Sequence, residues 1–444
     1  MRITIQGDNR IAVDLVNNLA GERAELILVG QDAALQQNLL EKHQAISCIL
    51  GTCSDPAIFS DLTLKDSDTF ITVTDNDELN FISCQIAHKH GSKRTLCRLR
   101  NNRLAEWVKG CSSDFGITEV FRPEQIVADQ MTRLIQHPGA FQITDLHQGS
   151  IRIMGLKARR DGPLVGRPLS EIGRFMPNLQ THVAVIYTAQ GSIPATGSSI
   201  VNEGDEVFMV ARPDQEEEVI RAVHGREPRN KRILIAGGGY IGLSLAKKFQ
   251  DSYQVKLIEQ DAQRCEYLAS ELDHTLILHG TANDRDLLNS EYISEVDVFC
   301  AVTNNDQSNY LSALLAKKLG AHHVISLINE AAYVDLVEGR DIDVVLIPSQ
   351  IALSELLGLV RSQVDEARRL RRDAAEVLSI SAGRRMNGWA LGEIDFPEGA
   401  YTVAIMRNNK MLIAEKNMRI MTGDSLIVFL LDNKCLDKVV HLLH

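Results

Sequence analysis

Much of this sequence occurs twice. The stretch IAGGGYIG, Ile235 to Gly242, lies about 230 residues after a blurred copy of itself, IQGDNRIA, Ile5 to Ala12. The likeness continues past the turn. LILVGQDA (Leu26 to Ala33) matches VKLIEQDA (Val255 to Ala262), ILGTCSDPAIF matches LHGTANDRDLL, and FITVTDNDELN (Phe70 to Asn80) matches FCAVTNNDQSN (Phe299 to Asn309). Further on, RPEQIVADQMTRLI (Arg122 to Ile135) matches IPSQIALSELLGLV (Ile347 to Val360). The offset stays near 229 residues and drops to 225 in the last pair, so a connecting loop changed length while the plan persisted. Self-similarity at a fixed period means one supersecondary plan folded more than once, and this constrains the fold before any single motif does.

Each copy opens with a short β-rich run, a turn, a segment of helical periodicity and a second apolar run. RILIA and VKLIE read as buried parallel strands, and IGLSLAKKF between them places apolar residues at helical spacing. The rhythm goes on through VDVFCAV and HVISLI. Alternating strand and helix predicts a parallel sheet covered on both faces, the doubly wound class. A weaker repeat follows each copy. GPLVGRPLSEI leading to VNEGDEVFMVA corresponds to GWALGEIDFPEGA leading to IMTGDSLIVFL, short strands joined by Gly-Asp turns. The expected fold is therefore α/β, with two Rossmann-like parallel-sheet domains, each followed by a small α+β domain. The expected boundaries are 1–136, 137–224, 231–366 and 367–444, and PDQEEEVIRAVHGREPRNKR between the halves reads as a helix and a linker.

Bulk properties exclude several function classes. A net charge of −11 over 444 residues argues against a nucleic-acid binder working through a broadly basic face. The run RRLRRD, Arg368 to Asp373, reads as the solvated side of a helix. No apolar run reaches the ~18 residues of a membrane span, and MRITIQGDNR lacks the layout of a signal peptide. Eight scattered cysteines without a Cys-x-x-Cys pair point to reduced thiols, not to a disulfide framework or zinc site, and so to the cytoplasm. His322 and His323 read as surface residues, and no metal site is expected.

The second glycine turn carries the chemistry. Gly237, Gly239 and Gly242 satisfy G-x-G-x-x-G between a strand and a helix. The first allows the tight turn, the second lets backbone approach a pyrophosphate, and the third lets helix pack against strand. The helix N-terminus offers unpaired N–H groups to the anion. Glu259, 22 residues after Gly237, ends the second strand, where a carboxylate accepts ribose hydroxyls and repels a 2′-phosphate. That favours NAD(H) or an adenine nucleotide over NADP.

The first copy departs at four positions. Asn9 and Ala12 replace two glycines, Asp8 brings a negative charge, and Gly30 stands where the second copy has Glu259. At about 5 Å and an effective dielectric near 20, Asp8 would repel a phosphate by about 3 kcal/mol, more than a helix dipole returns. These read as three independent losses of a dinucleotide site. Yet CRLRNNR supplies Arg98, Arg100 and Arg103 where the second copy has Asn329 and Glu330. Either Arg98 and Arg100 serve a phosphate across an interface, or these arginines form a solvated edge.

At these residues the chain resembles the TrkA family, the peripheral NAD-binding regulators of bacterial Trk potassium uptake, built of tandem RCK domains. The supporting stretches are GGGYIG, VKLIE, VDVFCAVTNNDQSN, LLAKKLGA and AAYVDLVEG in the second half, and VTDNDELN, PEQIVADQMTRLIQHPGA and GDEVFMVA in the first. The resemblance spans essentially the whole length. It implies a cytoplasmic homo-oligomeric ring on the inner face of the membrane, docked on a potassium-transport pore subunit. NAD(H) or ATP/ADP would shift its shape and so gate the pore. It carries the ligand site onto Gly237, Gly238, Gly239, Tyr240, Ile241, Gly242, Glu259, Thr281, Ala282, Thr303 and Asn304. Family members have an acidic residue after the glycine at Gly280, and Thr281 departs from that. The changes in the first copy make this a divergent member. Two rival readings are a structural assembly subunit without nucleotide sensing and an NAD-dependent dehydrogenase. The second lacks a substrate domain and a histidine with a convergent acid, so no catalytic residue is expected.

Overall fold

Strands β1 (Arg2–Gln6), β2 (Glu25–Gly30), β3 (Ile46–Leu50), β4 (Thr69–Thr72), β5 (Arg94–Arg98) and β6 (Glu119–Phe121) form one parallel sheet in the order β3-β2-β1-β4-β5-β6. This is a computed structural model, describing residues 2–20, 24–43, 45–177, 179–188, 190–225, 231–330, 342–361, 364–370, 375–432 and 435–444. The stretch AAYVDLVEG, the linker after Gly225 and the end of the RRLRRD run lie outside the described residues. The chain order reverses between β1 and β4, which opens a crevice beyond the carboxyl ends of these strands.

The chain divides into two units, residues 1–127 with 348–360, and 128–347 with 361–444. In the first unit the sheet has a core on each face. One lies around Phe59, Phe70, Cys84 and Cys97. The other joins Ile3, Leu15, Val16 and Leu19 to Ala352, Leu353, Leu356, Leu357 and Val360 of the helix Pro348–Val360. Those five positions fall on one helix face. Burying a leucine side chain contributes about 1.5–3 kcal/mol, so three leucines account for a substantial part of this core. The sequence assigns this helix to the second Rossmann-like domain, whereas it packs into the sheet of the first.

In the second unit, β7 (Ala140–Leu146), β8 (Ile151–Lys157), β9 (Thr181–Thr188), β10 (Gly191–Pro194) and β11 (Glu206–Ala211) form an antiparallel sheet ordered β10-β9-β11-β8-β7. A second parallel sheet contains β12 (Arg232–Ala236), β13 (Gln254–Glu259), β14 (Thr275–His279), β15 (Val298–Ala301), β16 (His323–Leu327) and β17 (Val344–Leu346). Its order, β14-β13-β12-β15-β16-β17, repeats the first. Last come β18 (Glu366–Arg369), β19 (Glu376–Ser381), β20 (Ala400–Arg407), β21 (Lys410–Ile413) and β22 (Ser425–Leu430), ordered β18-β19-β22-β20-β21. Traversed from β7, the earlier antiparallel sheet has this same order, so the weak sequence repeat is a true structural one.

The two antiparallel modules meet within the unit. Gln142 Nε2 donates to Arg369 O at 3.0 Å, His147 Nε2 lies 2.7 Å from Ser379 Oγ, and the Tyr401 hydroxyl donates to Ala184 O at 2.7 Å. Among the described residues, no helix is long and apolar enough to cross a membrane.

Candidate functional site

The second crevice is the larger of two equivalent clefts. It has a volume of about 390 Å³, against about 250 Å³ in the first copy. Gly237, Gly239, Glu259, Thr281, Ala282, Thr303 and Asn304 all line it. The other expected residues lie behind this surface. Gly242 is buried, and a Cβ there would come 1.9 Å from Gly237 O, so the third glycine serves contact between helix and turn. Gly237 has φ +113, a conformation that L side chains rarely adopt. Tyr240 and Ile241 open the helix Tyr240–Phe249 and are half-buried.

Glu259 is already oriented. Its Oε2 accepts from Gly238 N at 2.8 Å, and its Oε1 accepts from Gln260 N and Asp261 N at 2.8 and 3.0 Å. A side chain on Gly238 would meet Leu268 Cδ1 at 2.3 Å and Glu259 Oε2 at 2.9 Å, so it would disturb the carboxylate beside it. On the opposite wall, buried Asn309 sets the loop after β15. Its Oδ1 accepts from Thr303 N and Oγ1, and its Nδ2 donates to Thr303 O and Leu327 O. Burial, then the carboxylates of Glu259 and Asp261, push the neighbouring Cys265 thiol up, which keeps it protonated.

The helix end is what distinguishes the two clefts. Gly239 is the N-cap of Tyr240–Phe249 and has no side chain to bond the first-turn amides. Asn9, its counterpart, caps the helix Arg10–Leu19, with Oδ1 accepting from Ala12 N at 3.1 Å and Nδ2 donating to Val73 O. Orphan N–H groups at a helix start are satisfied by a cap, by water or by a ligand. The first copy fills this position with its own amide. The second leaves it open to an anion.

Two readings from sequence are corrected. The carboxylate is not missing from the first cleft. Asp8, at the position of Gly238, reaches across to the end of β2, where its Oδ2 accepts from Gln31 N at 2.7 Å and its Oδ1 from Asp32 N at 3.4 Å. Those amides are the counterparts of Gln260 N and Asp261 N, so the acid has moved from strand to turn. Gly30 makes room for it, since a Cβ there would lie 1.9 Å from Asp8 Oδ1.

Arg98 is neither an interface phosphate contact nor a solvated edge. Its side chain is 7% exposed and pairs with Asp75 at 2.8 Å and Glu124 at 3.2 Å. Arg100 is exposed, with Nη2 on Asp75 O and its backbone N held by the Asp77 carboxylate. Arg103 is exposed in the next helix.

The second copy has Asn329 and Glu330 in place of the arginines, but its cleft gains a cation from another element, Arg264, which the sequence reading does not include. This side chain lines the cleft, donates from Nε to Gly238 O at 2.8 Å, and lies over the Tyr267 ring at 4.6 Å from its centroid. Its signal was present: Asp261 caps the helix Ala262–Glu271, and a residue in that first turn faces the glycine turn. Among the described residues, no cluster of three or more potential metal ligands occurs.

The family model for the TrkA-N domain matches residues 3–123 and again 233–348, the two parallel-sheet regions that carry the clefts. The chain belongs to the TrkA family. It is 36% identical to the Trk system potassium uptake protein TrkA of Halomonas elongata, covering 98% of this chain and 96% of that one. It is also 36% identical to the protein of the same name from Vibrio alginolyticus, covering 99% and 98%. Among solved structures, the GsuK RCK domain aligns with TM-score 0.62 at 16% identity, over 99% of this chain and 95% of that one. The GsuK channel bound to NAD aligns with TM-score 0.62 at 16% identity, over 99% and 79%. At that identity the likeness shows the fold alone, and the tandem TrkA-N plan described above is that fold.

Proposed function

We propose that this chain is a cytoplasmic regulatory subunit of a potassium-uptake system. In this reading it assembles as a homo-oligomeric ring on the inner face of the membrane and gates a pore subunit. Its ligand is NAD(H) or ATP/ADP, bound in the second cleft. The observation carrying the ligand assignment is the uncapped helix start at Gly239, set across the glycine turn from an oriented Glu259. The TrkA relatives bear the name of a potassium uptake system, and the GsuK channel, which has the same fold, has been solved bound to NAD. Both support the reading.

The residues present fit such a ligand. Gly239 leaves space open, with no heavy atom within 4 Å of where its Cβ would stand. The first-turn amides offer the phosphate seat, Glu259 offers acceptors for ribose hydroxyls, and Arg264 supplies the cation at the rim. Such a carboxylate disfavours a 2′-phosphate, so NADP is the poorer ligand. A ligand shifts a conformational equilibrium only by its differential affinity for the two shapes. Contacts spread over the glycine turn, the end of β13 and the loop after β15 would tie three elements together, and their relative position is what a bound nucleotide can bias.

Calorimetric titration with NADH, NAD, ATP and ADP tests this, alongside Glu259→Ala and Gly239→Asp. Saturable binding at one site per chain, abolished by either change, is the expected outcome. Absence of binding to the wild type would leave a scaffold without a sensor.

A further inference from the structure

The first cleft remains a cavity after its phosphate seat is filled, and its polar groups have a consistent chemistry. Gln6, at the end of β1, lines it and is 2% exposed, and Gln6 Oε1 has no hydrogen-bond partner among the described residues. The other end of that amide makes one long contact, from Nε2 to Thr52 Oγ1 at 3.5 Å. Ala236 holds the equivalent place in the second cleft, so a polar group has been set into the floor only where the glycines were lost. A buried amide end without a partner costs about 1–3 kcal/mol, and its persistence needs a reason. Asp8, Asp75, Thr52 and Thr74 line the same space, and the Asp75 carboxylate is paired with Arg98. Arg98 is committed to Asp75 and Glu124 and does not line the cavity.

We propose that the first cleft binds a ribonucleoside that carries no phosphate. The carboxylate at the end of the second strand, the group that pairs with ribose hydroxyls in this fold, is retained through Asp8. Gln6 Oε1 accepts one further hydrogen bond from the ligand. Phosphate is refused twice, by Asn9 in the helix-start position and by the Asp8 carboxylate. The cavity of about 250 Å³, against about 390 Å³ in the second cleft, matches a ligand that has lost its phosphate portion. This inference does not depend on nucleotide binding at the second cleft.

The test is equilibrium dialysis and calorimetry of the full chain bearing Gly239→Asp, which closes the second cleft. Adenosine, guanosine, cytidine and uridine are the probes, each compared with its 5′-monophosphate. At least one nucleoside should bind at one site per chain, at least tenfold more tightly than its monophosphate. Asp8→Asn keeps the side chain's shape and its bond to Gln31 N while removing the charge, and should weaken binding at least tenfold. Gln6→Leu should weaken it severalfold while leaving the melting temperature unchanged or raised, a response a purely structural glutamine would not give.

The proposal is overturned if none of the four saturates below about 1 mM. It is also overturned if a monophosphate binds as tightly as its nucleoside, or if binding survives Asp8→Asn undiminished. NADH titration of the wild type reports separately on the second cleft, so the two readings can fail independently.

Discussion

Gly242→Ala should damage the second Rossmann-like domain, whereas Gly239→Ala, three residues earlier, should leave it intact. The added Cβ at position 242 would stand 1.9 Å from Gly237 O and 3.1 Å from Gly237 C, both backbone atoms that no rotamer change can move. That is about 1.5 Å short of ordinary contact, and overpacking of this kind costs about 1–3 kcal/mol. The first copy displays the relaxed arrangement. Ala12 occupies this position, and Gly7 has φ +155 where Gly237 has φ +113. A turn pushed the same way carries its amides off the phosphate seat, so affinity for NADH should fall at least tenfold.

At Gly239 the backbone has φ −65 and ψ −166, allowed for any residue, and nothing lies within 4 Å of the new Cβ. Its stability should therefore change by less than about 0.5 kcal/mol. Scanning calorimetry of the full chain would read the difference at about 2–4 °C per kcal/mol for a cooperative unit of roughly 150–250 residues, with NADH titration beside it. Equal melting temperatures for the two variants, or wild-type NADH affinity in Gly242→Ala, would refute the claim that this glycine is required by the turn it touches.

Gly239→Asn installs the cap that Asn9 provides in the first copy. It should raise stability by a few tenths of a kcal/mol and abolish nucleotide binding, measured by melting and calorimetry on one sample. Arg98→Ala leaves Asp75 and Glu124 facing each other without their shared cation. A loss of about 1–3 kcal/mol is expected, against little change for exposed Arg103→Ala, in urea unfolding of the full chain.

Burial raises the Glu216 pKa, but His137 and Arg152 outweigh that and hold it below its ordinary 4.5. A depressed carboxyl contributes stability above pH 4.5 that is lost as pH falls through the folded value. Glu216→Gln should therefore flatten the acid limb of the melting profile below about pH 4.5 and lower stability at pH 7. Gly30→Glu alone should destabilise through collision with Asp8. Asp8→Gly with Gly30→Glu should recover most of the loss, a coupling read by a double-mutant cycle.

The repeat, the two parallel sheets and the second glycine turn were legible because periodicity and spacing carry them. Seven of the expected site residues line one cleft, since a residue at a strand's carboxyl end must face the crevice in this topology. The helix Pro348–Val360 was legible as an element but not in its placement. Its apolar face fits either sheet, and only the three-dimensional packing assigns it to Leu15 and Val16. Arg98 was misread because a charged residue at a strand end reads as exposed, while its partner Glu124 lies 26 residues further on. Arg264 is hidden in the sequence because its contact with Gly238 O spans 26 residues. The orphaned end of Gln6 has no signature in sequence at all, since hydrogen-bond satisfaction is a property of the packed state.

The changes at Asp8 and Gly30 are coupled, because the two positions touch. With Glu259 in place, a Cβ at position 238 would press on Leu268 Cδ1 and on the carboxylate, so one or both side chains would have to shift. With Asp8 in place, a Cβ at position 30 would displace its carboxylate from Gln31 N and Asp32 N. A chain bearing both acids would force two carboxylates onto one pair of amides, where like charges in contact repel. A chain bearing neither leaves two exposed N–H groups that water can satisfy at small cost. One acid on this pair of amides is the arrangement that both clefts show. The first cleft has its carboxylate on Gln31 N and Asp32 N. A turn decaying without constraint had no need to hold an acid at that position. Its presence, together with an orphaned amide in the floor of the same cavity, points to a cleft altered in what it accepts more than to one abandoned.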